Sequence, residues 1–280
     1  QLLLVVERCT EWCKPNAEEI EYTRAQDFRI EEAVAMETSG HPCEMNDQPK
    51  PLLVSVIRSI RLLEQNRAFH RDLLLAIKNM TLESEYSIDN FAYGHTPLDS
   101  WARVCSQHAV VDLFHVEDSL ASVPATSALT TKMDDDGSAV QLITTPCVVF
   151  GSSTGSLVFF TSLLLSQPCT GVEILPFLHT TAQRIQTSLD IKACSFLCTD
   201  MLQTRLIGTR LLVLTSQCWD DDLYRHVVRK VENELAFGAL VIDYRNGLTH
   251  SRHFRLRDRV SDVRVSWNHA QTLYCFEHIG

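Results

Sequence analysis

The sequence lacks any apolar run that approaches the roughly 18 residues of a membrane-spanning helix. Its opening, QLLLVV, is too short for the core of a signal peptide and has no basic region before it, although a removed targeting peptide or a longer native chain stays an open alternative. Positive charge is scarce as well, since 25 Lys and Arg stand against 35 Asp and Glu. This balance disfavours nucleic acid as a partner and is compatible with a protein substrate, a protein complex or a small molecule.

Two phosphate-binding motifs are also missing. The segment GSSTGS at 151–156 has no Lys and the wrong length for a Walker loop, and it holds two of the three glycines of the dinucleotide fingerprint. Neither Cys9 and Cys13 nor Cys194 and Cys198 are matched by a second pair at zinc-finger spacing. The sequence therefore predicts no metal site, and it favours a nucleoside ligand without phosphates over a pyrophosphate.

The 10 cysteines do not indicate a disulfide scaffold, because the chain of 280 residues is long and several of them lie inside apolar runs. Buried, reduced thiols are the main interpretation. We therefore expect an intracellular reducing compartment, which leaves the cytosol, the nucleus and the interior of an organelle open.

The order of patterns along the chain predicts an α/β fold. Residues 1–90 are predicted to form a helical N-terminal region, with helices starting near Pro15 and Pro51. Residues 91–280 are expected to form one domain, interrupted by an insertion or loop at 118–140 that is rich in Ser, Ala and Thr. From residue 141 onwards, short apolar runs alternate with helical stretches, which is typical of parallel strands with crossover helices. The predicted strands are 147–150, 170–174, 194–197, 210–216 and 238–244, and the helices are 155–166, 176–189 and 220–235. Residues 263–267 and 271–279 predict a closing antiparallel hairpin.

Three polar elements follow consecutive predicted strands. Gly151, Ser153 and Gly155 lie in the turn after the first strand, where glycine permits an unusual backbone conformation and a close approach of the helix start to a ligand. Glu173 ends the next strand and can accept hydrogen bonds from both ribose hydroxyls of a nucleoside. Asp200, with Met201, follows the third strand and can accept a hydrogen bond from an adenine amino group. Each acid has a structural alternative, namely a solvated strand-end Glu and a helix-capping Asp.

Taken together, strand–GxxxG–helix, strand–Glu, Asp and a closing hairpin resemble the class I S-adenosylmethionine-dependent methyltransferases. Three segments resemble, more narrowly, the disruptor-of-telomeric-silencing type of histone lysine methyltransferase: YGHTP at 93–97, GVEIL at 171–175 and VRVSWNHAQTLYCFEHI at 263–279. The resemblance implies a Rossmann-like seven-stranded sheet with an antiparallel last strand, and S-adenosyl-L-methionine as cofactor. It adds Tyr93, Gly94 and Thr96 as a loop that closes over the cofactor. It also implies that the acceptor is positioned by Tyr93, Thr215, Ser216 and Gln217.

The sequence departs from that family at several positions. Phe150 stands where the family has an acid, His95 replaces the loop Glu, and Thr215–Gln217 replace an Asn pair followed by Phe. The expected function is methyl transfer, with protein lysine as the implied acceptor. The alternative is a catalytically degenerate subunit with a structural or scaffolding role in a larger assembly. A nicotinamide-dependent oxidoreductase also fits GxxxG with Glu173, but the antiparallel hairpin argues against it.

Two charged stretches complete the pattern. Asp220, Asp221 and Asp222 are expected to begin a helix, because acids complement its positive end. An arginine cluster follows the fifth strand and indicates either a solvated loop or a grip on an acidic partner. Its members are Arg245, Arg252, Arg255, Arg257 and Arg259.

Overall fold

Two helices precede the α/β part of the chain. The structure, a computed structural model, describes residues 49–115, 130–133 and 139–280, so the helix predicted after Pro15 lies outside the described residues. Helix α1 spans Pro49–Glu64 and α2 spans Arg67–Glu83. The sequence pattern predicted one continuous helix here, but Asn66 interrupts it and caps α2 by accepting a 2.9 Å hydrogen bond from the Ala68 N–H.

A seven-stranded sheet organises the rest. Its strands are β3 (Cys147–Phe150), β4 (Cys169–Glu173), β5 (Cys194–Cys198), β7 (Leu211–Leu214), β8 (Leu240–Asp243), β9 (Phe254–Val265) and β10 (Asn268–His278). Their order across the sheet is β5-β4-β3-β7-β8-β10-β9. The first five strands in this order are parallel, and β10 is antiparallel to both of its neighbours. The prediction of a Rossmann-like seven-stranded sheet with an antiparallel last strand is confirmed.

Crossover helices connect the parallel strands. They are α5 (Ser156–Leu165), α6 (Pro176–Ser188) and α7 (Asp221–Glu234), close to the predicted bounds. Helix α7 begins as predicted, since Asp220 is its N-cap and accepts a 2.8 Å hydrogen bond from the Leu223 N–H. Two shorter helices, α3 (Leu98–Cys105) and α4 (His108–His115), precede the sheet in the chain.

The core occupies both faces of the sheet. On one face lies α5, which is apolar all around because α1 and α3 cover it from outside while the sheet covers it from inside. On the other face lies α7, which buries Leu223, Val227 and Val231 against the strands. Helices on both faces leave the carboxyl-terminal edge of the parallel strands as the open side of the fold.

The 118–140 stretch and the arginine cluster contain strands that the sequence pattern did not predict. β1 (Thr130–Met133) and β2 (Ala139–Ile143) pair as a hairpin, and β2 pairs with β6 (Thr204–Leu206) in a separate small sheet. β9 begins at Phe254, nine residues ahead of the predicted Val263, so Arg255, Arg257 and Arg259 lie on a strand and the solvated-loop interpretation of them is wrong. These three arginines are two residues apart in sequence, and all three are exposed on this edge strand.

Candidate functional site

A cleft lies where the strand order reverses, at the carboxyl ends of β3 and β7. It has two connected chambers that share Tyr93, Gly151, Ser153, Thr215 and Cys218. The first chamber, of about 720 Å³, extends towards the ends of β4 and β5 and is lined by Glu173, Asp200 and Met201. The second chamber, of about 910 Å³, extends towards β8 and the β9–β10 turn and is lined by Thr96, Gln217, Tyr244 and Trp267.

The turn after β3 forms the floor between the chambers. Gly151 and Ser153 both have a positive φ, of 71° and 54°. A Cβ on Gly151 would collide with the Thr215 hydroxyl, so glycine is needed there for space as well as for conformation. Ser153 lacks that freedom, and its left-handed backbone costs about 1–2 kcal/mol, which the surrounding contacts must offset.

Glu173 offsets that strain directly. One carboxylate oxygen accepts the Ser153 N–H at 2.8 Å and the other accepts the Leu175 N–H at 2.9 Å. The side chain is 6% exposed. Burial raises the pKa of Glu173, and the backbone donors of Leu175, Ser153 and Ile174 oppose that rise. Each oxygen keeps a second lone pair, so the group still has acceptor capacity for a ligand in the first chamber.

Asp200 is engaged on both oxygens. The Tyr86 hydroxyl donates to one at 2.5 Å, and the Leu202 N–H donates to the other at 2.8 Å in the N-cap of a short 3-10 turn. Burial and the neighbouring Asp200 raise the pKa of Tyr86, so its hydroxyl remains a donor. The capping alternative for Asp200 is therefore present in the structure, beside its place on the chamber wall.

The strap, residues 84–96, crosses the open edge between α2 and α3. Asn90 exchanges two 2.7 Å hydrogen bonds with Asp220, one to its carboxylate and one from its backbone N–H. The Tyr93 hydroxyl donates to Glu64 at 2.6 Å. At the far end, His95 and Ser266 exchange two 3.0 Å bonds. The strap is thus fixed at several points and forms one wall of both chambers.

Aromatic side chains line the far part of the second chamber. The rings of Tyr244 and Trp267 lie 5.9 Å apart at 43°. The hydroxyls of Tyr244 and Thr96 share a 2.5 Å hydrogen bond. A Cβ on Gly94 would lie 2.5 Å from the Trp267 ring, so the strap approaches the hairpin closely only because Gly94 has no side chain.

The segment after β7 distributes its side chains in different directions. The Thr215 hydroxyl donates to the carbonyls of Phe150 at 2.9 Å and Gly151 at 3.1 Å. The Ser216 side chain is fully buried and donates to Asp243, which also accepts the Tyr224 hydroxyl at 2.5 Å. A 3-10 turn over Ser216–Cys218 causes this divergence, because it turns Ser216 inward while Gln217 and Cys218 reach the cleft.

All the site residues predicted from sequence except Gly155 and Ser216 lie on the cleft wall: Tyr93, Gly94, Thr96, Gly151, Ser153, Glu173, Asp200, Met201, Thr215 and Gln217. Gly155 is not on this wall, and a Cβ there would lie 2.8 Å from the Phe196 ring and 2.9 Å from Phe159, so internal packing already requires a glycine; its approach to a ligand stays a prediction. Ser216 likewise serves the buried Asp243. Phe150 is fully buried in the core and leaves the cleft open.

Several wall residues escaped the sequence analysis. Cys218 lines both chambers, and Trp219 lines the first. Tyr244 follows directly on β8, so its position at a strand end was a usable signal. Tyr86 and Asn90 gave none, because their partners lie 114 and 130 residues away in the chain.

Arg245, the first member of the arginine cluster, does not line the cleft. Arg245 donates to the Trp219 carbonyl at 2.9 Å and to Asp221 at 2.8 Å, with its guanidinium over the Tyr224 ring. In the described ranges, no cluster of three or more His, Cys, Asp or Glu side chains is arranged to hold a metal ion. Nor does any helix within them have the length and apolarity to cross a bilayer.

Comparison with known proteins gives similarities of fold only. No family model and no curated protein matches the sequence. Among solved structures, an RNA methyltransferase from Salinibacter ruber in complex with S-adenosyl-L-homocysteine is 14% identical over 62% of this chain and 93% of its own, with a TM-score of 0.40. The putative methyltransferase yhhF from Escherichia coli is 14% identical over 48% of this chain and 76% of its own, with a TM-score of 0.39. The N-methyltransferase NodS from Bradyrhizobium japonicum WM9 is 18% identical over 48% and 85%, with a TM-score of 0.38. At these identities the likeness says nothing about what the chain binds.

Proposed function

We propose that this chain is an S-adenosyl-L-methionine-dependent methyltransferase whose cofactor lies in the cleft. The observation that carries the proposal is the pairing of the Gly151–Gly155 turn with Glu173. These elements were predicted from sequence to meet at one ligand, and the Ser153 N–H lies 2.8 Å from the Glu173 carboxylate at the edge where ligands bind in open α/β sheets.

The first chamber fits a nucleoside. Glu173 offers acceptor capacity for ribose hydroxyls, Met201 and Leu178 offer apolar surface, and Asp200 keeps second lone pairs for an amino group. When bound, the cofactor supplies an electrophilic methyl group on a positively charged sulfur. The residues of this chain then need to bind, orient and exclude water, since a methyl transfer of this kind depends mainly on alignment.

Calorimetric titration with S-adenosylmethionine and S-adenosylhomocysteine tests the proposal. We expect saturable binding by the native chain, and a loss of about 1–3 kcal/mol, or roughly 5- to 150-fold in affinity, for Glu173→Ala. Glu277→Ala is the matched control, because Glu277 pairs with Arg255 and Arg257 on the β9–β10 hairpin and does not line the cleft. Absence of binding by the folded native chain would refute the proposal.

Protein lysine is the acceptor that the sequence resemblance implies, and a protein substrate is the corresponding partner. The proposal of a lysine acceptor depends on the resemblance alone. Thr215, Gln217 and His95 differ from the family's residues at the positions that would face the acceptor. Transfer of labelled methyl groups to a cell lysate, followed by identification of the modified residue type, separates lysine from other acceptors.

A structural subunit within a larger assembly is the second candidate. One observation favours it: both oxygens of Glu173 and both oxygens of Asp200 already accept hydrogen bonds from the chain itself. These acids would then be retained for stability without any cofactor. A folded chain that binds neither form of the cofactor and copurifies stoichiometrically with a partner supports this candidate.

The thiols support an intracellular reducing compartment as a proposal. All seven cysteines in the described ranges are free, and five are buried: Cys105, Cys147, Cys169, Cys194 and Cys275. Thiols held in a core of this kind need no oxidising environment for stability.

A further inference from the structure

Exposed apolar side chains concentrate on the two helices that open the described chain. Within the described ranges, six large apolar side chains are exposed, and three of them lie on α1 and α2: Leu62, Leu75 and Leu82. Leu75 is 52% exposed and Leu82 is 77% exposed. Scattered exposed leucines are ordinary, but these two are seven residues apart on one helix, so they lie on the same face about two turns apart. That face of α2 therefore offers apolar surface to a partner.

The exposed face of α2 has a simple composition. Five exposed residues at three- and four-residue spacing follow this face and form the outer stripe: Arg67, Arg71, Leu75, Lys78 and Leu82. The opposite face buries Phe69, Leu73 and Ile77 and packs towards Leu178 of α6. Because Leu75 and Leu82 point away from this packing, the core does not require an apolar side chain at either position.

The charges of the outer stripe narrow the choice of partner. Helices α1 and α2 together carry six Lys and Arg against three Asp and Glu, within a chain whose net charge is −10. Arg71 pairs with its neighbour Asp72 at 2.9 Å, and Arg67 and Lys78 have no acidic partner among the described residues. Surface ion pairs contribute little to affinity, so the leucines supply most of the attraction and the cations select an acidic partner.

A second copy of the chain does not fit this requirement, because its own outer stripe would place cations opposite cations. Residues 16–37 of the same chain have the complementary composition, with seven acids against two arginines. In the helix that the sequence predicts after Pro15, Ile20, Ile30 and Val34 would share one face, since they are ten and four residues apart. The segment thus combines apolar side chains for the leucines with carboxylates for the cations.

The connection between this segment and α1 is long enough for docking. Residues 38–48 separate the segment from Pro49, where α1 begins. Eleven extended residues span about 36–40 Å, which exceeds the length of about 26 Å for a helix of 17 residues such as α2. A tether of this kind gives an effective concentration in the millimolar range, so a modest attraction is sufficient.

We propose that residues 16–37 dock on the outer stripe of the same molecule and cover Leu75 and Leu82. The contact braces α2, whose inner face supports the strap, because the ring of Phe69 packs 5.7 Å from that of Tyr93. The outer stripe does not line either chamber of the cleft, so the docking is independent of the proposed function.

Zero-length cross-linking of the full chain with a carbodiimide tests this contact, because the reagent joins an amine only to a carboxylate that touches it. Lys78 is the only lysine on α2. We expect Lys78 to be joined to an acid of residues 16–37 within one molecule. Arg67→Glu with Arg71→Glu should reduce this product about tenfold, because it reverses the charge that attracts the segment. The matched pair Arg225→Glu with Arg229→Glu, on the exposed side of α7, should leave the product unchanged.

Two outcomes of the cross-linking overturn the proposal. Lys192 is the internal control, since its side chain is 84% exposed and its Nζ lies 3.4 Å from Asp190. If Lys192 reacts and Lys78 is not joined to residues 16–37, the segment does not occupy the outer stripe. Mixing unlabelled with isotope-labelled chains separates products within one molecule from products between molecules. A product of Lys78 that forms only between molecules assigns the outer stripe to a second copy.

Limited proteolysis provides a readout that does not depend on lysine chemistry. Trypsin cleaves after Arg24 and Arg29, and docking should protect both sites. Leu75→Glu with Leu82→Glu changes exposed side chains only, so the fold should be retained while cleavage at both sites becomes about tenfold faster. Ile207→Glu with Phe237→Glu is the matched control, because these exposed side chains lie outside α1 and α2. Equal cleavage rates in the native chain and in the leucine variant, with both folded, overturn the proposal.

Discussion

Removing the Asn90 side chain should open the strap locally. Asn90→Ala deletes the 2.7 Å bond to the Asp220 carboxylate and the 2.7 Å bond from the Asp220 N–H. A bond to a charged group contributes about 1.5–3 kcal/mol and a neutral one about 0.5–1.5 kcal/mol. Because Asn90 is only partly buried and water replaces part of this, we expect a net loss of about 2 kcal/mol, near the lower end of the sum.

The assay is hydrogen exchange of the strap amides, read by mass spectrometry beside urea unfolding. A loss of 2 kcal/mol corresponds to an opening equilibrium shifted roughly 30-fold, so exchange over residues 84–96 should accelerate by about that factor. Asn233→Ala is the matched control, because its side chain donates to the Arg229 carbonyl on the exposed side of α7. Exchange of the strap that changes by less than about twofold, or equally in both variants, would refute the assignment of Asn90 as a fixing point.

Three further predictions concern the floor of the cleft, its thiol and its behaviour in acid. Gly151→Ala should lower the thermal unfolding midpoint and the affinity for S-adenosylhomocysteine more than Gly238→Ala does. Both glycines have a positive φ, but only a Cβ at Gly151 would collide with a neighbour, the Thr215 hydroxyl. Equal effects of the two substitutions in thermal unfolding and calorimetry would contradict this. In native protein, an alkylating reagent should label Cys198 and Cys218 before the five buried thiols, and peptide mapping measures the rate at each cysteine. S-adenosylhomocysteine should slow the labelling of Cys218, which lines the cleft, and an unchanged rate at Cys218 would place the ligand elsewhere. The hydrogen bond from the Leu223 N–H is the main cause that lowers the pKa of Asp220 below 3.8, so the stability that the ionised Asp220 contributes is complete above pH 3.8 and is lost as the pH falls through the lower pKa of the folded state. Asp220→Asn should therefore make the free energy of unfolding less dependent on pH below 3.8. A pH dependence equal to that of the native chain would argue against the cap.

The sequence predicts the central strands well because each is a short apolar run bounded by turns. β3, β4, β7 and β8 are buried on both faces, so no alternation is needed for their recognition, and β5 is buried except at Ser195 and Cys198. β9 was placed too late because its early arginines obscure the strand pattern. β6, with three residues, is too short for any periodicity.

The site was predictable only where it follows from strand ends. Glu173 and Thr215 take their places from the sheet itself, which the alternation of elements already implies. The direction of Ser216, by contrast, is decided by a single 3-10 turn and by the buried Asp243, 27 residues later. Tyr86 and Trp267 meet the cleft through tertiary contacts alone, and no local pattern carries that information.

The distance in sequence between the strap and its partners has a consequence for biosynthesis. His95 pairs with Ser266, 171 residues further along the chain, and the Thr96 hydroxyl bonds Tyr244, 148 residues further. At roughly 5–20 residues per second, a ribosome needs about 10–30 s to synthesise the chain between His95 and Ser266. The strap therefore lacks these two partners until the ribosome has synthesised the C-terminal hairpin. Protection of the strap against a protease should appear last on arrested nascent chains, after the sheet itself has become resistant.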